Sequence, residues 1–261
     1  MIGLSTPTGA INYGRPVNQS SPLARDLVGW WLTLPNTKGG STFYDLCGRN
    51  NGTLTNMDPA SDWVPTSRPG AFGALDFDGT NDHIVLGTAA AQTLWTITAW
   101  VYQRTQTSYK AIYGSNNNEL YLKAGVITYF NGADRAATTT LAANTWYHIA
   151  CSCHSTSGFA FYVNGVADGT NASTATLTTT PRIGSTTVPD LFFSGMMDDI
   201  RVYSRVLSAT DIAAVYQDPL LGYLQTLNRL RRPIPFAPAA GAASYPQGVI
   251  GGGVGGRIIA A

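Results

Sequence analysis

The sequence has few charged residues and a single glutamate. Asp, Glu, Lys and Arg make up 12% of its 261 residues, whereas a typical soluble domain contains about a quarter. Gly, Thr, Ser, Asn and Ala fill the polar positions instead, which is typical of a β-rich protein with short turns. The net charge of +1 gives no general attraction to nucleic acid or to an anionic membrane. We therefore expect neither as a partner.

Cysteines and long apolar runs are also scarce. Cys47, Cys151 and Cys153 are an odd number without the spacing of a zinc site or a disulfide framework. On a strand Cys151 and Cys153 share a face with Ile149, which favours core packing. No stretch approaches the ~20 apolar residues of a transmembrane helix, and the N-terminus has no basic segment followed by an apolar one. We therefore expect synthesis in a cytoplasm without a signal peptide.

Composition and periodicity divide the chain into an N-terminal arm (1–26), a body (27–217) and a C-terminal linker and tail (218–261). In the body, β-branched and aromatic runs alternate with turn residues, and each run predicts a strand. The runs are LVGWWLT, GALDFD, HIVLG, WTITAWVYQ, KAIYGS, ELYLKAG, VITYFNG, TWYHIACSC and GFAFYVNG. Strands at this spacing predict one sandwich or barrel.

Local signals predict the turns and one helix. Asn-Gly pairs at 51–52, 131–132 and 164–165 predict type I′ turns, because both central residues need positive φ. Ser208 is a suitable N-cap for a helix that carries Asp211 in its first turn. The predicted apolar stripe of this helix is Ile212, Val215 and Tyr216, and Asp218-Pro219 ends it.

Several segments resemble, in order, the concanavalin A-like and laminin-G-like jelly-roll family. They are GALDFDGTNDHIVLG, WTITAWVYQ, TWYHIACSC, FAFYVNGVADGT and FSGMMDDIRVYSRVLSATDIAAVYQ. The resemblance covers the body, and its last block is the most specific part. It implies an all-β fold, an antiparallel jelly-roll sandwich of the lectin/glucanase type with one short C-terminal helix and extended arms at both ends.

The resemblance also implies a structural calcium ion. In the strand from Gly195, Asp198 is predicted to share the core-facing side with Ile200 and Val202. The matching Asp in similar domains helps hold calcium with carbonyl oxygens of an early loop, here YDLCGRNNGTL with Asp45, and calcium accepts such a mixed oxygen set. The alternative is that Asp198 binds backbone amides or an arginine. Both interpretations remain open on the sequence.

Catalysis is not expected, although several glycosidase families share this fold. Retaining hydrolysis needs two carboxylates about 5 Å apart, and Glu119 is the only glutamate. Asp198 and Asp199 are predicted to point to opposite faces of their strand. The three histidines are scattered, and no catalytic serine, phosphate-loop or zinc-protease motif occurs. We predict a protein that is not an enzyme.

Carbohydrate binding is a competing function, because sugar sites on such sandwiches combine aromatic rings with Asn and Asp side chains. The candidates lie in the middle of the body, and the sequence does not show whether they converge. They are Tyr109, Tyr113, Asn116, Asn117, Asn118, Tyr129 and Asn131.

The tail suggests assembly into a larger particle. Arg229, Arg231 and Arg232 precede a segment rich in proline and glycine, whose composition is typical of chains that order only on contact with a partner. The start PLARDLVGWWL and this tail resemble jelly-roll proteins of bacteriophage structural gene clusters. That resemblance implies a virion protein, a capsid decoration or cement protein or a tail or fibre component.

In this interpretation the protein is a homo-oligomer, for which a trimer is one expectation, and its arms anchor it to other virion proteins. The three arginines would contact acidic patches of those partners, while their alternative role is to keep an exposed linker soluble. The lectin-like module, with a cell-surface glycan as partner, stays the alternative function.

Overall fold

A computed structural model describes residues 17, 20–34, 40–66, 68, 70–107, 109–115, 117–177, 180–186 and 191–217. Its elements are β1 (Leu27–Trp31), β2 (Thr42–Phe43), β3 (Gly52–Thr55), β4 (Trp63–Val64), β5 (Ala74–Asp78), β6 (His83–Val85), β7 (Trp95–Gln103), β8 (Tyr109–Ser115), β9 (Asn118–Lys123), β10 (Val126–Phe130), β11 (Asp134–Thr140), β12 (Trp146–His154), β13 (Gly158–Val163), β14 (Val166–Asn171), β15 (Arg182–Ile183), β16 (Ser194–Tyr203) and α1 (Ala209–Gln217).

The strands form two antiparallel sheets packed face to face, which confirms the predicted sandwich. The first sheet has the order β14-β13-β12-β7-β16-β5-β4. Strand β1 also pairs with β16, at residues 200–203, which follow the part of β16 that pairs with β5. The second has the order β11-β10-β9-β8-β15-β6-β3-β2. No helix in the described part of the chain is long and apolar enough to span a membrane.

The main core lies between the sheets and follows the period-2 alternation of the strands. In β7 the residues Trp95, Ile97, Ala99 and Val101 face it, and in β12 the residues that face it are Ile149, Cys151 and Cys153. The predicted core role of the two cysteines is thus confirmed. The strands that the sequence pattern missed are short or polar, namely β2, β3, β4, β11, β14 and β15.

A second apolar layer covers the outer face of the first sheet. Trp30, Tyr203 and Leu207 pack there with Ile212 and Val215 of α1. Leu23 and Ala24, which the sequence placed in the N-terminal arm, belong to the same cluster, so this part of the arm packs on the body. Burial on both faces explains why β7 and β16 are almost continuously buried.

The start of α1 confirms the predicted cap. The Asp211 backbone N–H donates to Ser208 Oγ over 3.1 Å, and the Ser208 backbone N–H donates to Asp211 Oδ2 over 3.3 Å. Two free amides at the helix start are thereby satisfied.

Only one of the three predicted type I′ turns forms. Asn164 and Gly165 have φ of 49° and 79° between β13 and β14, whereas at 131–132 only Gly132 has positive φ. The prediction for 51–52 is wrong, because Gly52 begins strand β3. The hairpin of β9 and β10 instead turns at Ala124 and Gly125, with φ of 50° and 84°.

A β-bulge at Asp199 changes the face that Asp198 occupies. Against β7, Asp198 lies opposite Trp100 but Arg201 lies opposite Thr98, and Asp199 has φ of 53°. A bulge inserts one extra residue and reverses the alternation beyond it. Met197, Ile200 and Val202 therefore face the main core, while Asp198 shares the outer face with Trp100. The prediction that Asp198 faces the core beside Ile200 is wrong.

Candidate ligand-binding site

A cavity of about 320 Å³ opens at one end of the sandwich, between the two sheets. Its floor is apolar and aromatic, and consists of Trp31, Tyr113, Leu177 and Val202, with Val28 and Gly29 beside it. Its mouth is formed by loops and consists of Arg49, Asn50, Thr88, Ala89, Ala90 and Gln92. A concave apolar site with a few polar groups is the usual form of a small-ligand site, and this volume lies in the lower part of the usual range.

The aromatic floor is held in one orientation. The Trp31 indole N–H donates to the Asn50 carbonyl over 3.0 Å, and the Trp31 and Tyr113 rings lie 6.4 Å apart. Gly29 is required beside this ring, because a Cβ at that position would lie 2.4 Å from the Trp31 ring. These contacts hold the Trp31 ring in its place in the cavity floor.

The side chain of Asn50 joins the two loops of the mouth. Its Oδ1 accepts the Gly87 N–H over 2.6 Å, and its Nδ2 donates to the Gly87 carbonyl over 3.1 Å. On the other side of the mouth, the Leu177 N–H donates to the Gln92 carbonyl over 2.7 Å. These bonds fix the spacing of loops that lie far apart in the sequence.

Asp45 organises the loop that carries Arg49 and Asn50. Its carboxylate is fully buried and accepts four backbone N–H groups. Oδ1 accepts from Trp30 (2.8 Å) and Cys47 (2.9 Å), and Oδ2 accepts from Arg49 (3.1 Å) and Asn50 (3.0 Å). Such an arrangement satisfies a buried charge with oriented amides.

The described residues form two buried ion pairs on the outer face of the first sheet, and the first of them joins Asp198 to Arg68. Asp198 also accepts the Thr33 backbone N–H over 2.9 Å, and the Arg68 guanidinium lies 4.8 Å from the centre of the Trp100 ring. Burial raises the pKa of Asp198 to about 6, although the positive charge of Arg68 opposes this shift. The pair attaches the segment around Arg68 to the sheet.

The second pair contains the bulge residue Asp199. Its carboxylate accepts two N–H groups of Arg201, over 2.8 and 3.0 Å, and the Trp30 indole N–H over 2.7 Å. The Arg201 guanidinium stacks on the Trp30 ring at 4.4 Å. Asp199 therefore points to the same outer side as Asp198, and the prediction that the two carboxylates point to opposite faces is wrong. Each is neutralised by its own arginine.

His148 lies buried next to these pairs. Its ring stacks edge-on with Trp100 at 5.5 Å and lies 5.8 Å from Tyr216. Burial lowers the pKa of His148 to about 3, and neither ring nitrogen has a hydrogen-bond partner among the residues that the structure describes. His148 is therefore a packing residue of the outer layer.

Comparison with known protein families identifies the family of this sandwich. Residues 78–213, more than half of the chain, match the family described as the concanavalin A-like lectin/glucanases superfamily (Laminin_G_3). The chain belongs to this family. No curated protein matches the sequence.

Solved structures share the concanavalin A-like fold at low sequence identity. Domain 4 of AbnA, a GH43 extracellular arabinanase from Geobacillus stearothermophilus, in complex with arabinotriose, is 16% identical with a TM-score of 0.59, over 74% of this chain and 98% of that chain. Trypanosoma rangeli sialidase is 17% identical with a TM-score of 0.55, over 75% of this chain and 33% of that chain. The binding domain of Paraclostridial Mosquitocidal Protein 1 is 13% identical with a TM-score of 0.58, over 76% and 53%. The chain thus spans a third of the sialidase, and these likenesses show the fold alone.

The calcium site predicted from the family resemblance does not fit the donors of this chain. Both oxygens of Asp45 already accept N–H groups, and Asp198 faces a guanidinium, so neither carboxylate offers a free oxygen to a cation. Within the described ranges, no group of three or more His, Cys, Asp or Glu side chains could hold a metal ion. For Asp198, the arrangement matches the alternative of amide and arginine bonding that the sequence left open.

We therefore expect chelation to leave stability unchanged. With EDTA present, the midpoint of thermal unfolding should stay the same, because Asp45 and Asp198 are satisfied without a metal. Differential scanning calorimetry of the purified protein, with added calcium as the second arm, measures this. A midpoint that rises with calcium and falls with EDTA would restore the calcium prediction, since a bound ion stabilises the native state by mass action.

The carbohydrate candidates do not form one site. Tyr113 lies in the cavity floor and is 3% exposed. Tyr129 is 0% exposed and packs 4.9 Å from Trp95, so its assignment as a binding residue is wrong. Asn117 lies in the β8–β9 turn with φ of 67°, and its N–H donates to Glu119 over 3.0 Å. Asn116 lies outside the described residues.

The sequence does not predict the other residues that line the mouth and floor of the cavity. Asn50 and Arg49 lie in the loop for which calcium binding is predicted, but no motif distinguishes them as cavity residues. The tail residues Arg229, Arg231 and Arg232 lie outside the described part of the chain, and their role in assembly stays a prediction.

Proposed function

We propose that the protein is a carbohydrate-binding module without catalytic activity, and that the end cavity is its ligand site. The observation that carries this proposal is the shape and lining of the cavity. Trp31 and Tyr113, which are 1% and 3% exposed, form the apolar bottom of the cavity, and the accessible part of their rings can contact a sugar. Asn50, Thr88 and Gln92 supply amide and hydroxyl groups at the mouth, where the hydroxyls of a sugar can exchange hydrogen bonds.

The family supports this function. Concanavalin A-like domains include lectins, and one solved structure of the same fold, matched over 98% of its length, is in complex with arabinotriose. Arabinotriose is therefore a reasonable first ligand to test.

The lining of the cavity supports binding without hydrolysis. Among its described lining residues there is no Asp or Glu. Glu119 lies on β9, outside that lining, and burial raises its pKa. Asp198 and Asp199 are each paired with an arginine under the second apolar layer. Most glycoside hydrolases use two carboxylates on either side of the bond that is cleaved, and the described lining of the cavity does not supply them.

Blocking the mouth should abolish binding. Ala90 is exposed at the mouth, so Ala90→Trp should fill the opening and weaken glycan affinity by at least about tenfold. The matched control is Ala136→Trp, at an exposed alanine of β11 outside the cavity lining. Glycan-array binding followed by calorimetry, with arabinotriose included, measures the effect. If no glycan binds, or if A90W and A136W bind equally well, the proposal is wrong.

A role in a virion stays a prediction from sequence. It rests on the resemblance of the start of the body and of the tail, and the tail lies outside the described residues. A glycan-binding body and an assembly role of the arms are compatible, because they use different parts of the chain.

A further inference from the structure

The charge at the cavity mouth points to the class of saccharide. Arg49 is exposed at the mouth, and among the described lining residues it is the one with a charged side chain. The described lining thus carries one cation and no anion, and such a lining favours a ligand group of negative charge.

The Arg49 guanidinium is available for such a group. It has no hydrogen-bond or ion-pair partner among the described residues, whereas Arg25, Arg68, Arg104, Arg201 and Arg205 each pair with an aspartate. Asp45 is the acidic residue four positions before it, and both Asp45 oxygens are occupied by backbone N–H groups. Asp45 thus fixes the backbone of Arg49 without neutralising its side chain.

The backbone of Arg49 is also fixed relative to the floor. Its backbone N–H is bound to Asp45, and the next residue, Asn50, bridges to Gly87 and accepts the Trp31 indole N–H through its carbonyl. The backbone that carries this cation is therefore fixed beside the aromatic floor, and its side chain is long enough to reach a ligand group at the mouth. A guanidinium presents two parallel N–H donors, which match the two oxygens of a carboxylate.

We propose that the cavity selects saccharides that carry a carboxylate, such as uronic or sialic acid units, and that Arg49 recognises this group. The inference rests on the carbohydrate-binding function proposed above. The sugar ring lies against the Trp31 and Tyr113 floor, and the carboxylate lies at the mouth.

Matched pairs of acidic and neutral ligands test the proposal. The probes are trigalacturonate with its methyl ester, and 3′-sialyllactose with lactose, titrated by calorimetry into the full chain. In at least one pair the acid should bind about tenfold or more tightly than its neutral partner, because a charge-assisted bidentate contact is lost in the neutral form. Higher salt should reduce this preference.

Variants assign the preference to one side chain. Arg49→Gln should lower the affinity for the acid to that of its neutral partner, and Arg49→Lys should retain part of the preference. Arg25→Gln is the matched control, since Arg25 is 77% exposed and does not line the cavity. Equal binding of acid and neutral partner, or a preference that survives in R49Q, overturns the inference and leaves carbohydrate binding intact. If A90W and wild type alike bind no saccharide, acidic or neutral, both proposals fail.

Discussion

Replacing Arg68 with alanine is expected to lower the free energy of unfolding by about 3–5 kcal/mol. The Arg68 guanidinium and the Asp198 carboxylate are 1% and 0% exposed, so the variant leaves a carboxylate without its cation in an apolar layer. Among the described residues, only the Thr33 N–H remains as a donor to it. The loss also removes the contact of Arg68 with the Trp100 ring. Urea unfolding monitored by tryptophan fluorescence measures the change.

Two comparisons distinguish the cost of leaving a buried charge unpaired from the cost of losing any ion pair. Arg104 and Asp76 form a pair at 2.5 Å with 39% and 27% exposure, so Arg104→Ala should cost about 1 kcal/mol or less. The double variant Arg68→Met with Asp198→Leu removes both buried charges, and should regain most of the stability that R68A loses. If R68A costs no more than R104A, the Arg68 pair is not the buried structural contact described here.

The apolar strands of the sandwich could be predicted because each of them carries its own signal. Residues 95–103 and 146–154 alternate between core and outer faces, and the alternation is visible in the residue types. The α1 cap is equally local, since Ser208 and Asp211 are three residues apart. Strands such as β11 and β14 lack the signal, because most of their residues are polar and exposed or half-buried edge positions.

The outer-face ion pairs could not be predicted, for two physical reasons. The bulge depends on Asp199 adopting positive φ, and nothing in the sequence DDIRVY marks it, because a glycine would be the usual signal. The partner of Asp198 lies 130 residues away, in a segment with no strand pattern of its own. One inserted residue then reversed the predicted face of Asp198.

The sequence predicts only part of the candidate site, again because contacts between residues far apart in the chain decide the rest. Tyr113 and Tyr129 look alike in sequence, since both lie within aromatic strands. The difference is that Tyr113 lies beside the end cavity, whereas Tyr129 is enclosed by Trp95 and Phe159. The mouth depends on Asn50 bonding to Gly87, 37 residues away, and composition does not encode that contact.

Lowering the pH should reduce the free energy of unfolding because His148 is buried in its neutral form. A variant of His148 can measure this contribution. The unfolded chain takes up a proton at this side chain near its ordinary pKa of 6.5, whereas the buried native side chain does so near 3. The unfolded state therefore binds more protons as the pH falls through 6.5, and stability decreases until the native pKa is reached. Each pH unit in that window contributes about 1.4 kcal/mol, so the loss should be about 3 kcal/mol at pH 4.

The difference in unfolding free energy between wild type and His148→Phe measures this contribution. Asp198 acts in the opposite direction, because its native pKa of about 6 lies above its ordinary 3.8, so the native state binds its proton first and gains stability between pH 6 and 3.8. Both proteins share Asp198, so its effect cancels to first order.

H148F should match or exceed wild type at pH 7, since it removes two unpaired ring nitrogens, and its advantage should grow by about 3 kcal/mol at pH 4. His148→Gln should show the same growth from a lower starting value. An advantage that stays constant from pH 7 to 4 would mean that His148 is not held neutral in the native protein.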